Sequence, residues 1–194
     1  MKLARYVSSF VSNWKTALAK GVSPDEPLPH WALSAFTPSE KDKGQLSLFA
    51  IDADIPPCAI AAALAFNRVK VEAHLFVTAD SGQLEDLGFK LSRTVGDTDH
   101  PAVNERHYEI ELQTVDQVGA AARAFIGGEM EFVDIKEINA QLVSDARRDA
   151  IDWMHLAANA HENAWKKSMA FIKTKAAEVR GIAVDQSLSV RTGF

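Results

Sequence analysis

The sequence predicts an α+β fold built on a ferredoxin-like antiparallel sheet. Residues 45–134 follow the order β-α-β, an αβ insertion, and β-α-β, which is the ferredoxin-like (βαββαβ-type) arrangement. In the last full strand, Tyr108, Ile110 and Leu112 alternate strictly with polar residues. Such alternation is typical of a strand with one face on a core and the other in water, and it argues against the rival α/β sheet covered on both faces. We therefore expect an α+β core whose helices lie on one face.

Composition narrows the class of protein further. The 194 residues are 47% hydrophobic, and no stretch reaches 18 consecutive apolar residues, so we expect a folded chain without a membrane span. A secretory signal pattern is absent. The single cysteine, Cys58, cannot form a disulfide within the chain, which fits a reducing compartment, and its apolar neighbours predict a small buried side chain. The prediction for localisation is therefore cytoplasmic. Residues 45–134 carry fifteen acidic and six basic residues, so nucleic acid is not an expected partner.

The N-terminal residues 1–21 have the pattern of an amphipathic helix. Apolar residues recur at i, i+3, i+4 and i+7 over residues 2–19: Leu3, Tyr6, Val7, Phe10, Val11, Trp14, Ala17 and Leu18. We expect this helix to dock on the body, with an anionic membrane surface or a transit signal as the alternative. Residues 22–44 hold four of the seven prolines and are predicted to be a connector, with a capping-box pattern at Thr37-Pro38-Ser39-Glu40.

Turn and capping residues divide residues 45–134 into the elements of the core. Asp54 is positioned to cap a helix after the first strand, and Thr114 with Gln117 forms a capping box before another. Gly127-Gly128 ends that helix before a short strand. The predicted strands are 46–51, 69–78, 89–95, 107–113 and 130–132, and the predicted helices are 55–66, 83–87 and 115–126.

A long C-terminal helix is predicted over residues 135–180. Residues 129–180 contain no glycine and no proline, and Asp134 with Glu137 forms a capping box at the start. Forty-six residues of helix would be about 69 Å long, well beyond the size of a compact domain of this length. We expect the helix either to break near 159–163 or to project toward a second chain, with residues 181–194 as a tail.

The apolar stripe of this helix is rich in alanine in its middle, which permits a close partner with large side chains. We expect the N-terminal helix to pack antiparallel against it, with exposed parts left for a second copy. The favoured function is therefore a non-catalytic binding or protein-interaction module that self-associates into a homo-oligomer through the long helix. The predicted interaction residues are Trp14, Trp153 and Phe171.

Sequence motifs for metals, cofactors and common catalytic sites are lacking. There is no phosphate loop, dinucleotide-binding glycine pattern, HExxH, paired CxxC or nucleophile elbow. Asp145, Asp149, Asp152 and His155 share one side of the long helix, but interleaved basic residues favour a solvated charged face over a metal site. No metal and no cofactor are therefore predicted.

The alternative function is a small-molecule enzyme with its site in or near residues 79–107. Acidic and histidine side chains that suit acid–base chemistry crowd the loop before the alternating strand. The predicted catalytic residues are Asp97, His100 and His107, for a small-molecule ligand. The neighbouring polar residues are Asp99, Arg106, Asp52 and Asp54.

Overall fold

The computed structural model describes residues 1–7, 11–20, 26–65, 72–148 and 150–152. Within these residues the chain forms six strands, seven α-helices and one 3₁₀ turn at Glu40–Asp42. The strands are β1 (Lys2–Val7), β2 (Gln45–Ile51), β3 (His74–Asp80), β4 (Ser92–Arg93), β5 (His107–Glu111) and β6 (Met130–Val133). The helices are α1 (Val11–Lys20), α2 (His30–Phe36), α3 (Pro57–Ala65), α4 (Ser81–Asp86), α5 (Pro101–Asn104), α6 (Val115–Ile126) and α7 (Ile135–Arg147).

The six strands form one antiparallel sheet in the order β4-β5-β2-β1-β3-β6. Strands β2 and β3 are both antiparallel to β1, so they run parallel to each other on either side of it, joined through α3. A ferredoxin-like sheet would place β5 between β2 and β3, because its third strand separates the first two. Here β1 occupies that position and β5 lies outside β2. The α+β class and the antiparallel sheet are confirmed, whereas the strand order differs from the ferredoxin-like expectation.

The prediction of one helix over residues 2–19 is wrong at its N-terminal end. Residues Lys2–Val7 are a strand, and the described helix that follows is Val11–Lys20. The apolar spacing of these residues fits a helix, but β1 pairs with β2 on one side and β3 on the other. Helical pattern is a weak prior that such long-range pairing overrides.

Helices cover both faces of the sheet. Apolar residues of α3, α5 and α7 pack on one face with Phe49 and Phe76, and this side is called the α3–α7 face. Apolar residues of α1, α2, α4 and α6 pack on the other with Leu48 and Val77, and this side is called the α2–α6 face. The expectation of helices on one face only is therefore wrong. It rested on the alternation in β5, which lies toward the edge of the sheet, whereas residues 74–79 of the central strand β3 are all buried.

The capping residues predicted for the last two helices are confirmed. Thr114 Oγ1 accepts a hydrogen bond from the Gln117 N–H, and the Gln117 side chain accepts from the Thr114 N–H. Asp134 and Glu137 exchange the same pair of bonds at the start of α7. Between these helices, a Cβ on Gly128 would collide with the backbone carbonyl of Thr78, so only glycine fits where the chain enters β6.

The predicted connector is more ordered than its prolines indicate. It contains α2, whose last turn is closed by Thr37 Oγ1 donating to the Leu33 carbonyl. Thr37 is thus at the end of a helix rather than at the start of one. The capping interaction lies two residues later, where Ser39 Oγ donates to Asp42 in the 3₁₀ turn.

Helix α7 ends at Arg147, so the long helix predicted over 135–180 is interrupted before the break expected near 159–163. After it, the Ala150 N–H bonds the Asp145 carbonyl, and Ile151 is buried against the α3–α7 face. Tertiary contacts end the helix where the sequence offers neither glycine nor proline. The predicted break at 159–163 and the tail at 181–194 lie outside the described residues. Since α1 and α7 pack on opposite faces of the sheet, the predicted pairing does not involve α7, and the rest of the predicted alanine-rich partner surface lies outside the described residues.

Candidate functional site

A hydrogen-bonded loop before α5 holds the residues of the candidate site. The side chain of Asn104 accepts from the Thr98 hydroxyl (2.6 Å) and the Thr98 N–H (2.9 Å), and donates to the Thr98 carbonyl (2.9 Å). Gly96 lies against the same asparagine, where a Cβ would come within 3.1 Å of the Asn104 Cα. These contacts fix the backbone that turns Asp99 and His100 into the interior.

His100 is the N-cap of α5 and faces α7. Its Nδ1 accepts from the Val103 N–H at 3.4 Å, which leaves the proton of the neutral ring on Nε2. Nε2 lies 3.7 Å from Oδ2 of Asp145 on α7, and both side chains are buried. Both nitrogens of His100 are thus directed at protein groups.

Asp145 connects this loop to the interface between α3 and α7. Its Oδ1 accepts from Gln141 Nε2 at 2.7 Å, and Gln141 Oε1 accepts from the Cys58 thiol at 3.6 Å. Burial raises the pKa of the Cys58 thiol, which keeps it a neutral donor. A chain of contacts therefore runs from Cys58 through Gln141 and Asp145 to His100.

The cluster contains buried carboxyl oxygens without hydrogen-bond partners, namely Oδ2 of Asp145 and both oxygens of Asp99. The surface of Asp99 is only 1% exposed, and neither of its carboxyl oxygens has a hydrogen-bond partner. Loss of hydration is the main cause that raises the pKa of Asp99 to about 8, and the nearby carboxylates of Asp145 and Asp152 raise it further. The carboxyl is therefore mostly protonated at neutral pH and offers one O–H donor and one carbonyl acceptor.

Residues 150–152 lie against the same loop. The Asp152 N–H donates to the backbone carbonyl of Asp99 at 2.6 Å, and the Ala150 N–H donates to the carbonyl of Asp145 at 2.9 Å. Ile151, between them, is buried. The end of α7 and the loop before α5 are thus joined around the Asp99 carboxyl.

The three residues predicted to be catalytic have different surroundings. His100 is in the cluster, whereas Asp97 is exposed. His107 Nδ1 pairs with the Thr94 hydroxyl at 2.7 Å, its ring packs edge-on to Phe49, and burial lowers its pKa. A role for Asp97 and His107 therefore stays a prediction.

The flanking polar residues of the predicted site have structural partners. Asp52 Oδ1 accepts from the Asp54 and Ile55 N–H groups, and Asp52 Oδ2 pairs with Arg106 at 2.8 Å. These bonds shape the turn before α3 and tie it to the start of β5. They lower the pKa of Asp52, first through the Ile55 N–H, and so keep it ionised.

Of the predicted interaction residues, Trp14 lies within the described part of the chain. Trp14 is fully buried against Trp31 and Phe36 on the α2–α6 face, because α1 packs its aromatic side on the protein itself. Trp14 is therefore not an exposed contact residue. Trp153 and Phe171 lie outside the described residues.

Sequence reasoning included Asp99 among the polar loop residues and Asp145 among the charges of the long helix, but it did not bring them together. The sequence signal that could have indicated the site is that Asp99 and His100 directly precede Pro101, which begins a short turn of helix. Nothing in the sequence marks which of several aspartates is buried without a partner, because burial here depends on where α7 and residues 150–152 pack.

Other parts of the described structure offer less chemistry. A groove of about 330 Å³ at the ends of α2 and α6 is open to solvent and lies away from the cluster; its lining residues are Leu33, Thr37, Pro38, Leu112, Gln113, Thr114, Val115 and Val118. No three His, Cys, Asp or Glu side chains among the described residues are arranged to hold a metal ion. In the same residues, no helix is long and apolar enough to cross a membrane.

Comparison of the chain with protein-family models, curated proteins and solved structures finds no match in any of the three. The cluster around Asp99 is therefore the basis for a proposed function.

Proposed function

We propose that this chain binds a small molecule through the carboxyl of Asp99. The observation that supports the proposal is the burial of this carboxyl with both oxygens unpartnered. Nearly all buried polar side chains in folded proteins have a hydrogen-bond partner, and exceptions cluster at functional sites. A ligand that pairs with Asp99 would satisfy both oxygens at once.

The protonation state of Asp99 defines the chemistry of the ligand. A neutral carboxyl presents a donor and an acceptor side by side, which matches the carbonyl and N–H of an amide. With a pKa of about 8, about nine-tenths of Asp99 is protonated at neutral pH. We therefore expect a neutral amide group, rather than an anion, to be recognised here.

Binding is favoured over catalysis because both ring nitrogens of His100 face protein groups. A histidine base needs one ring nitrogen free to reach the substrate. Nδ1 of His100 caps α5, and Nε2 faces Asp145. The proposed binding site thus lies where the sequence predicted the alternative enzyme site. Its proposed role is the non-catalytic binding that the sequence favoured.

Acetamide and benzamide are suitable probes, with acetate and methylammonium as charged controls of similar size. We expect the amides to shift the Asp152 backbone amide signal in ¹H–¹⁵N NMR spectra at neutral pH and to raise the melting temperature, since ligands that bind only the folded state stabilise it. Asp99→Leu should abolish both effects, whereas Asp86→Asn, an exposed substitution on α4, should preserve them.

Equal effects from acetate and acetamide would contradict the proposal, as would an unchanged response in Asp99→Leu. If that variant does not fold, the native chain at about pH 9.5 replaces it. There the carboxyl has lost its O–H donor, and amide binding should weaken about tenfold or more.

A second candidate function, self-association, is supported by the outer edge of β6. This strand pairs with β3 on one side and with no described strand on the other. Phe132 is 48% exposed beside that edge and Ile135 is 45% exposed just after it. An unpaired edge with exposed apolar side chains is a surface on which a second strand can add.

This edge replaces the long helix as the proposed interface of a homo-oligomer. Light scattering after size exclusion should show a dimer for the native chain and a monomer for Phe132→Lys. Val95→Lys is the matched control, because Val95 is 85% exposed near the opposite edge of the sheet. A native chain that stays monomeric at high concentration would contradict self-association.

A further inference from the structure

The carboxylate of Asp145 adds a second buried acceptor to the site of Asp99. Its Oδ1 accepts from Gln141 Nε2 at 2.7 Å, whereas its Oδ2 has no hydrogen-bond partner, although the residue is only 4% exposed. The Nε2 of His100 lies 3.7 Å from Oδ2, which is longer than a hydrogen bond. One oxygen of Asp145 is thus held by the protein, and the other still lacks a donor.

This oxygen lies in the same small region as the Asp99 carboxyl. His100, whose ring is directed at Asp145, directly follows Asp99 in the chain. Burial is the main cause of the raised pKa of Asp99, and the charge of Asp145 adds to it, so the two carboxyl groups interact. A ligand group that reaches Asp99 is therefore close to Oδ2 of Asp145 as well.

The Asp99 carboxyl by itself restricts the ligand to amides of one geometry. In the proposed function, a protonated carboxyl pairs with a carbonyl and an N–H that lie side by side. The carbonyl and N–H of a trans secondary amide point in opposite directions and do not fit this pair. A primary amide, and a lactam whose ring holds the amide cis, both present the two groups on one side. Asp99 therefore leaves two classes of ligand open.

We propose that Asp145 selects between these classes, and that the ligand of the site is a primary carboxamide. A primary amide nitrogen carries two N–H groups, of which one pairs with Asp99 and the other points away from the carbonyl. Oδ2 of Asp145 is the acceptor for this second N–H. A lactam has a single N–H and leaves Oδ2 without a donor. This inference rests on the proposed function, which supplies the pairing at Asp99.

The surroundings of Asp145 favour strong discrimination. The bond from Gln141 to Oδ1 orients the carboxylate, and burial removes water as a competing donor. A hydrogen bond to a charged acceptor is stronger than one between neutral groups, and a site with a buried polar partner rejects ligands that lack the matching group. We therefore expect a primary amide to bind roughly tenfold or more tightly than a lactam of similar size.

Propionamide, 2-pyrrolidinone and N-methylacetamide are the probes for a test on the full chain: a primary amide, a lactam and a trans secondary amide. ¹H–¹⁵N NMR titrations that follow the Val103 backbone amide, which bonds His100 in the cluster, give a dissociation constant for each probe. Propionamide should bind roughly tenfold or more tightly than 2-pyrrolidinone, and N-methylacetamide should bind most weakly.

Asp145→Leu should bring the dissociation constants of propionamide and 2-pyrrolidinone to the same value. Their ratio is the measure, because a change at Asp99 that follows from the substitution affects both probes alike. Asp86→Leu, the same substitution at an exposed site on α4, should retain the preference of the native chain.

Equal affinities of the native chain for propionamide and 2-pyrrolidinone would overturn the role of Asp145 and leave the proposed function intact, because both probes fit Asp99. A preference that persists in Asp145→Leu would also overturn it, since the shape of the site would then be the cause. Should this variant fail to fold, the comparison of probes on the native chain still decides. If none of the three amides binds, both proposals are wrong, and buried water is the partner of these oxygens.

Discussion

The two faces of the sheet carry cores of different kinds. The α2–α6 face is built around large aromatic side chains, including Trp14, Phe36 and Phe125, that pack on one another. The α3–α7 face has an alanine-rich core and collects the buried polar side chains of the described residues: His74, Thr78, Thr98, Asp99, His100, His107 and Asp145. The aromatic core and the candidate site thus lie on opposite sides of a single layer of strands.

The buried charged groups show the same contrast. On the α2–α6 face the partly buried guanidinium of Arg5 donates to the carbonyls of Ser47 and Ala35. Its pKa is lowered to about 10 by burial, yet it remains charged and hydrogen-bonded. On the α3–α7 face Asp99 has no such partners and holds a proton instead. A satisfied buried charge is typical of a structural role, and an unsatisfied one points to a ligand or a switch.

The largest expected effect tests whether the aromatic face carries most of the stability. Phe125→Ala removes a fully buried ring 5.1 Å from that of Phe36, and we expect it to lower the free energy of unfolding by about 3–5 kcal/mol. Leu87→Ala, at a side chain that is 49% exposed, is the control and should cost less than about 1 kcal/mol. Urea denaturation measures both, and similar losses for the two variants would contradict the assignment of Phe125 to the core.

The next largest effect concerns the α3–α7 face and is the pH dependence of stability that Asp99 causes. Asp99 is protonated in both states below its ordinary pKa of 3.8, but from there to about 8 the folded state alone holds the proton. Stability therefore falls as pH rises through this window and is level above it. We expect the native chain to lose roughly 2–4 kcal/mol between pH 4 and 8 more than Asp99→Asn loses.

Urea denaturation of both proteins at several pH values measures this difference. Asp86→Asn should follow the native chain, because its carboxylate is exposed on α4. Parallel pH profiles for the native chain and Asp99→Asn would show that Asp99 has an ordinary pKa. That result would remove the basis for contrasting the two faces by their chemistry.

Local structure and long-range contacts were unequally predictable from the sequence. Local signals were reliable: the capping boxes at Thr114 and Asp134, and the strand around Leu48, are where the residues indicated. They depend on neighbours within four residues, so the sequence holds all the information they need. The class of the fold followed from them.

Long-range contacts were the source of the errors. The residues of β1 have helical spacing, but their strand is set by pairing with β2 and β3, whose sequences lie more than 35 residues away. The end of α7 is set by contacts of Ile151 and Asp152 with distant elements. The same dependence hid the site, since Asp99 and Asp145 are brought together only by the packing of α7 beside the loop before α5.

A smaller effect on the free energy of unfolding is expected from removing the N-cap of one helix on each face. Thr114→Ala removes the cap of α6 on the aromatic face, and Asp134→Ala removes the cap of α7 on the other. Each should lower the free energy of unfolding by about 1 kcal/mol, because a lost N-cap leaves helix N–H groups unpaired in a similar way wherever the helix packs. A much larger loss for Asp134→Ala, measured by urea denaturation, would indicate that α7 is held mainly from its N-terminus rather than by its apolar side.

The smallest expected effect concerns the outer end of the contact chain that leads to Asp145. Cys58→Ala removes a weak 3.6 Å thiol hydrogen bond to Gln141 and little volume, so the free energy of unfolding should change by less than about 1 kcal/mol. Gln141→Leu should cost more, since it removes the 2.7 Å donor to the buried carboxylate of Asp145. If Cys58→Ala were instead as destabilising as Gln141→Leu, the thiol would be holding Gln141 in place. The polar contacts of the α3–α7 face would then form one cooperative network that extends from α3 to the loop of Asp99.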